Sequence, residues 1–259
     1  MTIALKSPQE IAQLREAGRL VAEVYEILRE QIVPGVTTGD LDRIAEEFIR
    51  RKGAVPIYKG YVPAGGRGIP PFPGTICASV NQVICHGIPS AKQHLKEGDI
   101  IGVDIGLGLN GWCGDACVTF AVGNIDRESQ RLLDVTKRSL DLAIEQARAG
   151  NRLGDIGYAI QHYVEAQGFS VVKEYTGHGV GRELHEVPPT VLHHGQRGTG
   201  MKLRAGMVFT IEPMVNMGRA ETRVLGDHWT VVTADGSRSA QYEHSLAITE
   251  SGTEILTQL

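Results

Sequence analysis

Apolar residues at Ile11, Leu14, Val21, Val24 and Leu28 recur at helical spacing behind Ser7-Pro8-Gln9-Glu10. That tetrapeptide offers an N-cap hydroxyl, a proline for the first helical position and a glutamate placed to close a capping box. The pattern predicts a helix that Pro34-Gly35 stops. Leu41, Ile44, Ala45, Phe48 and Ile49 predict a second helix ending near Gly53. A long amphipathic segment with Leu132, Leu133, Leu140 and Ile144 follows Asp126 and breaks at Gly150, and a shorter helix is expected from about Asp155 to Gly168. Strand-like runs occupy 100–107, 112–122, 207–211, 229–233 and 245–249.

The helical grammar repeats. A shift of 115 positions aligns Gly35, Gly39, Asp40, Leu41, Phe48, Ile49 and Gly53 with Gly150, Gly154, Asp155, Ile156, Tyr163, Val164 and Gly168, without a gap. The register predicts an internal duplication, with two similar halves packed about a pseudo-twofold axis and a site where they meet. Chance matches remain an alternative, because glycine ends many helices. Helices and hairpins segregated along the chain predict an α+β fold with a largely antiparallel sheet. No low-complexity stretch or Pro-rich linker divides residues 1–259, so one domain is the simpler expectation.

Composition narrows the classes of function. The chain has 259 residues, 42% of them hydrophobic, which is enough for a substantial core. With 26 Lys and Arg against 30 Asp and Glu the formal charge is -4 and no basic run exists, so no specific nucleic-acid partner is expected. The start MTIALKSPQEI lacks a secretory pattern, and the longest uncharged stretch, 68–91, is broken by prolines and polar residues. The expectation is a cytoplasmic protein with no membrane attachment. Four cysteines, Cys77, Cys85, Cys113 and Cys117, read as free thiols of a reducing compartment.

Candidate chemistry begins at VDIGLGLNGWCGDA, 103–116. If Asn110-Gly111 is a two-residue turn, residues whose numbers sum to 221 face each other, so Asp104 opposes Cys117 and Gly106 opposes Asp115. Both aspartates then share one face as diagonal neighbours, roughly 7 Å apart. Gly106 and Gly108 are expected to leave that face empty beside them. Converging carboxylates in such a hollow require positive charge, which two divalent ions about 3.5–4 Å apart supply. Two solvated aspartates near a turn would read the same way from this hairpin alone.

Further donors lie downstream. TGHGVGRELHEVP carries His178 and His185, FTIEPM places Glu212 at the end of an apolar strand, and SAQYEHSLAI places Glu243 in another. A lone strand-end glutamate is ordinarily solvated and a lone histidine ordinarily satisfies a core hydrogen bond. Acids that interrupt strongly apolar strands, as Glu212, Glu243 and both aspartates do, fit a hard or borderline cation such as Mn, Fe, Co or Zn better than a thiolate site.

The order CASVNQVICHGIP, VDIGLGLNGWCGD, TGHGVG with LHEVP, TIEPM and SAQYEH closely resembles type I methionine aminopeptidase, a pita-bread fold of peptidase family M24, in its short bacterial or organellar form. The similarity runs from the first helix to Leu259. The resemblance implies duplicated halves, a curved, mainly antiparallel sheet with helices on its outer face, and two divalent metal ions (Co, Mn, Fe or Zn). It implies Asp104, Asp115, His178, Glu212 and Glu243 as the metal ligands, with Asp115 and Glu243 bridging. A hydroxide held between the ions would attack the first peptide bond, with Glu212 as proton acceptor and His86 and His185 contacting the scissile peptide. Cys77, Phe72 and Trp229 are implied as the pocket for the methionine side chain. Phe72 and Leu184 stand where the bacterial pattern has tyrosine and phenylalanine, so the pocket should stay apolar with its selectivity open. Cys113 and Cys117 are unusual as a pair; they are small buried hydrophobes, or they make the site sensitive to oxidants and soft metals.

The implied substrate is the N-terminal methionine of nascent polypeptides whose next residue is small, with transient ribosome contact and a monomeric enzyme as the defaults. The chain's own Met1-Thr2 start fits that rule. An Xaa-Pro aminopeptidase or prolidase is the runner-up, but those relatives carry a sizeable extra N-terminal domain and only about 100 residues precede Asp104. A metal-free pita-bread binding module would lack several of the five ligands.

Overall fold

The computed structural model describes residues 3–63, 65, 66 and 68–258, so Met1 and Thr2 lie outside the described residues. Four helices form where the apolar spacing predicts them: α1 (Pro8–Gln31), α2 (Thr38–Arg51), α3 (Arg127–Gln146) and α4 (Leu153–Ala166). The capping box at α1 is complete, with Ser7 N–H donating to Glu10 and Glu10 N–H donating to Ser7 Oγ. Thr37 and Asp40 build a second box at α2, and Asp126 accepts from Ser129 N–H at α3.

The 115-residue offset holds in three dimensions. The bounds of α4 are those of α2 displaced by 115 at both ends. Gly35 and Gly150 share φ values of 97° and 98°, and Gly53 and Gly168 share 76° and 81°, each a left-handed position after or before a helix. Gly35 N–H donates to Leu95 O, and Gly150 N–H donates to Leu203 O, so each half anchors its second helix by an equivalent bond.

The strands are β1 (Val55–Pro56), β2 (Ile76–Val80), β3 (Val83–Cys85), β4 (Ile100–Leu109), β5 (Trp112–Ala121), β6 (Ser170–Val171), β7 (Gly177–Gly179), β8 (Glu186–Val191), β9 (Val208–Ile211) and β10 (Met214–Asn216). They continue as β11 (Thr222–Val224), β12 (Val231–Thr233), β13 (Ser239–Gln241), β14 (His244–Thr249) and β15 (Gly252–Ile255). Among the described residues every pairing is antiparallel. Hydrogen bonding divides the strands into four sheets; the larger two are β1-β4-β2, with β5 on β4, and β15-β14-β9-β7-β8.

Each half buries its own apolar cluster. In the first, Val21, Val24, Leu28, Leu41 and Ile49 from α1 and α2 cover Val103, Ile105 and Leu107 of β4. In the second, Leu132, Leu140, Ile156 and Ile160 from α3 and α4 cover Phe209, Ile211, Leu246 and Ile248 of β9 and β14. The halves meet where Glu243 N–H donates 2.8 Å to Cys117 O, so β5 of the first half lies beside the start of β14 in the second. That seam carries the acids.

Candidate metal centre

Asn110 and Gly111 take left-handed φ values of 53° and 79°, the geometry of a two-residue hairpin turn. The register follows: Asp104 pairs with Cys117, and Gly106 with Asp115. One expectation is corrected here. The face beside Gly106 is filled, because the ring of Tyr58 lies against it; a Cβ on Gly106 would stand 2.3 Å from Tyr58 Cε1. The Tyr58 hydroxyl is 2.5 Å from Asp104 Oδ1 and 2.6 Å from Asp115 Oδ1, so the two carboxylates converge on one point.

The second half brings the remaining donors to the other side of Asp115. His178 sits on β7, and its Nδ1 is 3.0 Å from Gly179 O; a carbonyl only accepts, so Nδ1–H donates and Nε2 keeps a free lone pair. Nε2 stands 3.4 Å from Asp115 Oδ2 and 3.6 Å from Glu212 Oε1. Glu212 follows β9, and the Thr210 hydroxyl donates 2.9 Å to its Oε1. Glu243 precedes β14, and Ser245 Oγ donates 2.7 Å to Asp115 O, stitching the seam beside the acids. Asp115, His178 and Glu243 each offer a ligand atom within 4.8 Å of the other two. The structure therefore brings all five sequence-predicted donors to one place, linked through Asp115.

Electrostatics show what the cluster needs. Asp115 is 2% exposed, Glu243 3% and Glu212 7%. Among the described residues that line the surrounding cavity there is no Lys or Arg. Burial pushes the carboxyls of Asp104, Glu212 and Glu243 well above the usual range, with the Asp115 charge adding to it. Burial raises Asp115 to about 6. Burial also lowers His178, favouring the neutral imidazole that ligates metals. A buried set of carboxylates and one neutral imidazole, with no protein cation among the lining side chains, fits divalent ions of the hard or borderline class.

The cluster opens onto a cavity of about 800 Å³. Phe72, Cys77, Leu184, Trp229 and Tyr58 form one apolar cluster on its wall, so the three predicted pocket residues do meet, and the two positions that depart from the bacterial pattern share that wall. Phe72 meets Trp229 edge-on at 5.2 Å between ring centroids, and Trp229 Nε1–H donates 2.8 Å to Pro70 O. His86 and His185 also line the cavity. His86 is drawn down to about 4 by burial and by His185. His185 lies 4.1 Å from His178 between ring centroids, and its Nδ1 is 2.8 Å from the Tyr61 hydroxyl. Cys113 and Cys117 are not among the lining residues. The Cys113 Sγ–H donates to Arg182 O and burial pushes its thiol up to about 12, whereas Cys117 Sγ faces Gln241 O.

Three side chains that orient the site were not legible as such. Thr210 carried a signal, since it lies two residues before Glu212 on one strand and shares its face. Tyr58 and Tyr61 carried none, because each reaches its partner across 46 and 124 residues of sequence.

The model for metallopeptidase family M24 matches residues 12–250. The chain is 49% identical over 257 residues to "Methionine aminopeptidase 1" of Bacillus subtilis (strain 168), covering 99% of this chain and 100% of that protein. The crystal structure of methionine aminopeptidase from Thermotoga maritima superposes with a TM-score of 0.94 at 43% identity over 100% of both chains. The prolidase from Pyrococcus horikoshii OT3 superposes at 0.76 with 20% identity, over 98% of this chain but 63% of that one, a likeness of fold alone.

Proposed function

The chain belongs to the methionine aminopeptidases of metallopeptidase family M24, and from that premise we propose how its site residues divide the work. It hydrolyses the first peptide bond of polypeptides that begin with methionine, when the second residue is small. The observation that carries this reading is the buried acid and imidazole cluster, with no Lys or Arg among the described lining residues, on a cavity walled by thiol and aromatic surface.

The enzyme uses divalent metal. We assign two ions, Co, Mn, Fe or Zn, to Asp104, Asp115, His178, Glu212 and Glu243. Asp115 would serve both sides, since its Oδ1 faces the Asp104 side and its Oδ2 faces His178. Glu243, with a ligand atom within 4.8 Å of those of Asp115 and His178, would share in holding the ions. Divalent ions supply carbonyl polarisation and a water acidic enough to act near neutral pH.

The protein does the remainder. The methionine side chain enters the space between Cys77, Phe72 and Trp229, where sulfur and aromatic faces grip a flexible thioether. That grip sets the scissile bond over the acids. Thr210 fixes Glu212 Oε1, leaving Oε2 to take the proton of the attacking water. Tyr61 holds His185 by Nδ1, which leaves Nε2 to meet the developing negative charge on the substrate carbonyl oxygen. His86 sits beside Trp229, 6.2 Å between ring centroids, and serves the peptide nitrogen as it leaves.

We place the reaction in the cytoplasm, on nascent chains in transient contact with the ribosome, by a monomeric enzyme whose donors come from both halves of one domain. No helix among the described residues is long and apolar enough to cross a membrane. The proline-specific reading is not favoured, since that likeness is to fold only and covers 63% of the prolidase. The metal-free binding module is disfavoured by the five intact donors.

The test is metal-stripped protein, returned to Mn or Co and offered Met-Gly-Met-Met and an X-Pro peptide. Methionine release from the first alone, dependent on added metal, is expected. Cleavage at proline, or methionine release undiminished by chelation, would overturn the reading.

A further inference from the structure

Among the described residues, Tyr58 is the oxygen-bearing side chain that touches both hairpin aspartates and that no implied role absorbs. Its ring is 9% exposed and seated on Gly106, where even a methyl group would lie 2.3 Å from Cε1 and 2.8 Å from Cδ1 and Cζ. Glycine at 106 is therefore what admits the ring between the two acids. The ring cannot swing outward without leaving a packed cluster that includes Phe72, Cys77 and Leu184. Its hydroxyl is thus delivered by rigid elements to a fixed point, 2.5 Å from Asp104 Oδ1 and 2.6 Å from Asp115 Oδ1.

Each aspartate has two oxygens, and Tyr58 engages the same-named one of both. Asp115 Oδ2 is left facing His178, away from the phenol. On the opposite flank it is Thr210, not Tyr58, that steadies Glu212. The two flanks of the centre therefore have separate orienting hydroxyls, one from a loop of the first half and one from a strand of the second.

We propose that Tyr58 is a positioning residue of the metal centre, whose hydroxyl sets the orientation of the Asp104 and Asp115 carboxylates and so governs the ion on the Asp104 flank more strongly than the ion on the His178–Glu212 flank. The proposal rests on the two-ion assignment above. Phenol and carboxylates act as a unit: with the hydroxyl present the aspartates are held for an incoming cation, and without it they must be ordered by the cation itself. Groups that orient ligands in this manner ordinarily change metal affinity by 10- to 100-fold.

The experiment is a calorimetric titration of metal-free parent protein and of Tyr58→Phe with MnCl2, with the cobalt ligand-field spectrum followed in parallel. Phenylalanine keeps the ring on Gly106 and removes only the hydroxyl. The parent should show two binding events. In Tyr58→Phe one event should weaken by about tenfold or more while the other stays within about twofold, and the cobalt spectrum of the first equivalent should match the parent's. Gly106→Ala, which displaces the ring and keeps the hydroxyl in the chain, should weaken the same event. Unchanged isotherms in a two-ion parent would overturn the role of Tyr58 and leave the two-ion assignment standing. Equal weakening of both events, or tighter binding, would also overturn it. A parent that takes a single ion would instead remove the two-ion assignment and this proposal with it.

Discussion

Gly114, beside Asp115 on β5, gives a steric test of how α1 is seated. A Cβ there would lie 2.6 Å from Ala17 O, 2.7 Å from Ala17 C and 3.0 Å from Gly18 N, all backbone atoms of α1. Ordinary contact begins at 3.4 Å, so Gly114→Ala demands a retreat of about 0.8 Å (3.4 less 2.6). The same turn of the helix is held a second time, because Gly18 lies against Leu256 O, 2.3 Å from where a Cβ would be. Overpacking costs about 1–3 kcal/mol, and backbone contacts at both Gly114 and Leu256 place this site at the top of that range, about 3 kcal/mol. At roughly 2–4 °C per kcal/mol for a chain of this size, Tm should fall by about 6–12 °C. Gly102→Ala in β4 is the control, since its nearest neighbours lie at 3.6 Å and replacing a strand glycine is itself favourable by about 0.5–1 kcal/mol. Thermal unfolding followed by circular dichroism decides it. If the two variants melt within about 1 °C of each other, the account of helix seating is wrong.

Tyr61→Phe removes the bond to His185 Nδ1; a lost hydrogen bond of about 1 kcal/mol predicts a five- to tenfold fall in kcat/KM on Met-Gly-Met-Met with metal affinity unchanged, and an unaltered rate would refute it. Leu184→Ala strips apolar surface from the pocket wall and should raise KM by about 10- to 100-fold while moving kcat less, read from steady-state kinetics at saturating metal. His193 is fully buried with neither ring nitrogen partnered among the described residues, and burial draws it down to about 3 from 6.5. Its folded pKa is depressed, so the stability it permits is complete above pH 6.5 and falls by about 1.4 kcal/mol per pH unit down to about pH 3. His193→Leu should flatten that acid limb in urea unfolding series; an identical pH slope would refute the assignment.

The helices were legible because caps and a 3.6-residue apolar period act locally, as at Ser7–Glu10, and the duplicated register survives in the matching glycine φ values. The Asp104–Asp115 hairpin was legible for the same reason, since its turn and alternation lie within one short segment. Short strands such as β7, β10, β11 and β13 were not, because three residues cannot display a period. The strand β8 was hidden by Pro188 and Pro189, which argue against a ladder. At the site, acids interrupting apolar strands announced themselves, but the hydroxyls that aim them did not. Emptiness beside Gly106 was the wrong inference from a correct pattern: a glycine shows that something comes close, and the neighbour can be a side chain from a distant loop, here Tyr58.

The bond from Glu243 N–H to Cys117 O imposes an order on how the enzyme comes into being. Two of the acids are paired by a local turn that closes within microseconds of its own synthesis. Their partner from the far half is translated 128 residues after Asp115 (243 less 115). A growing chain thus carries an incomplete set of acids for about half of its elongation, 128 of 259 residues, and the set assembles only when Glu243 has been made and folded back. An enzyme that trims newborn polypeptides thereby completes its own cluster late in its making.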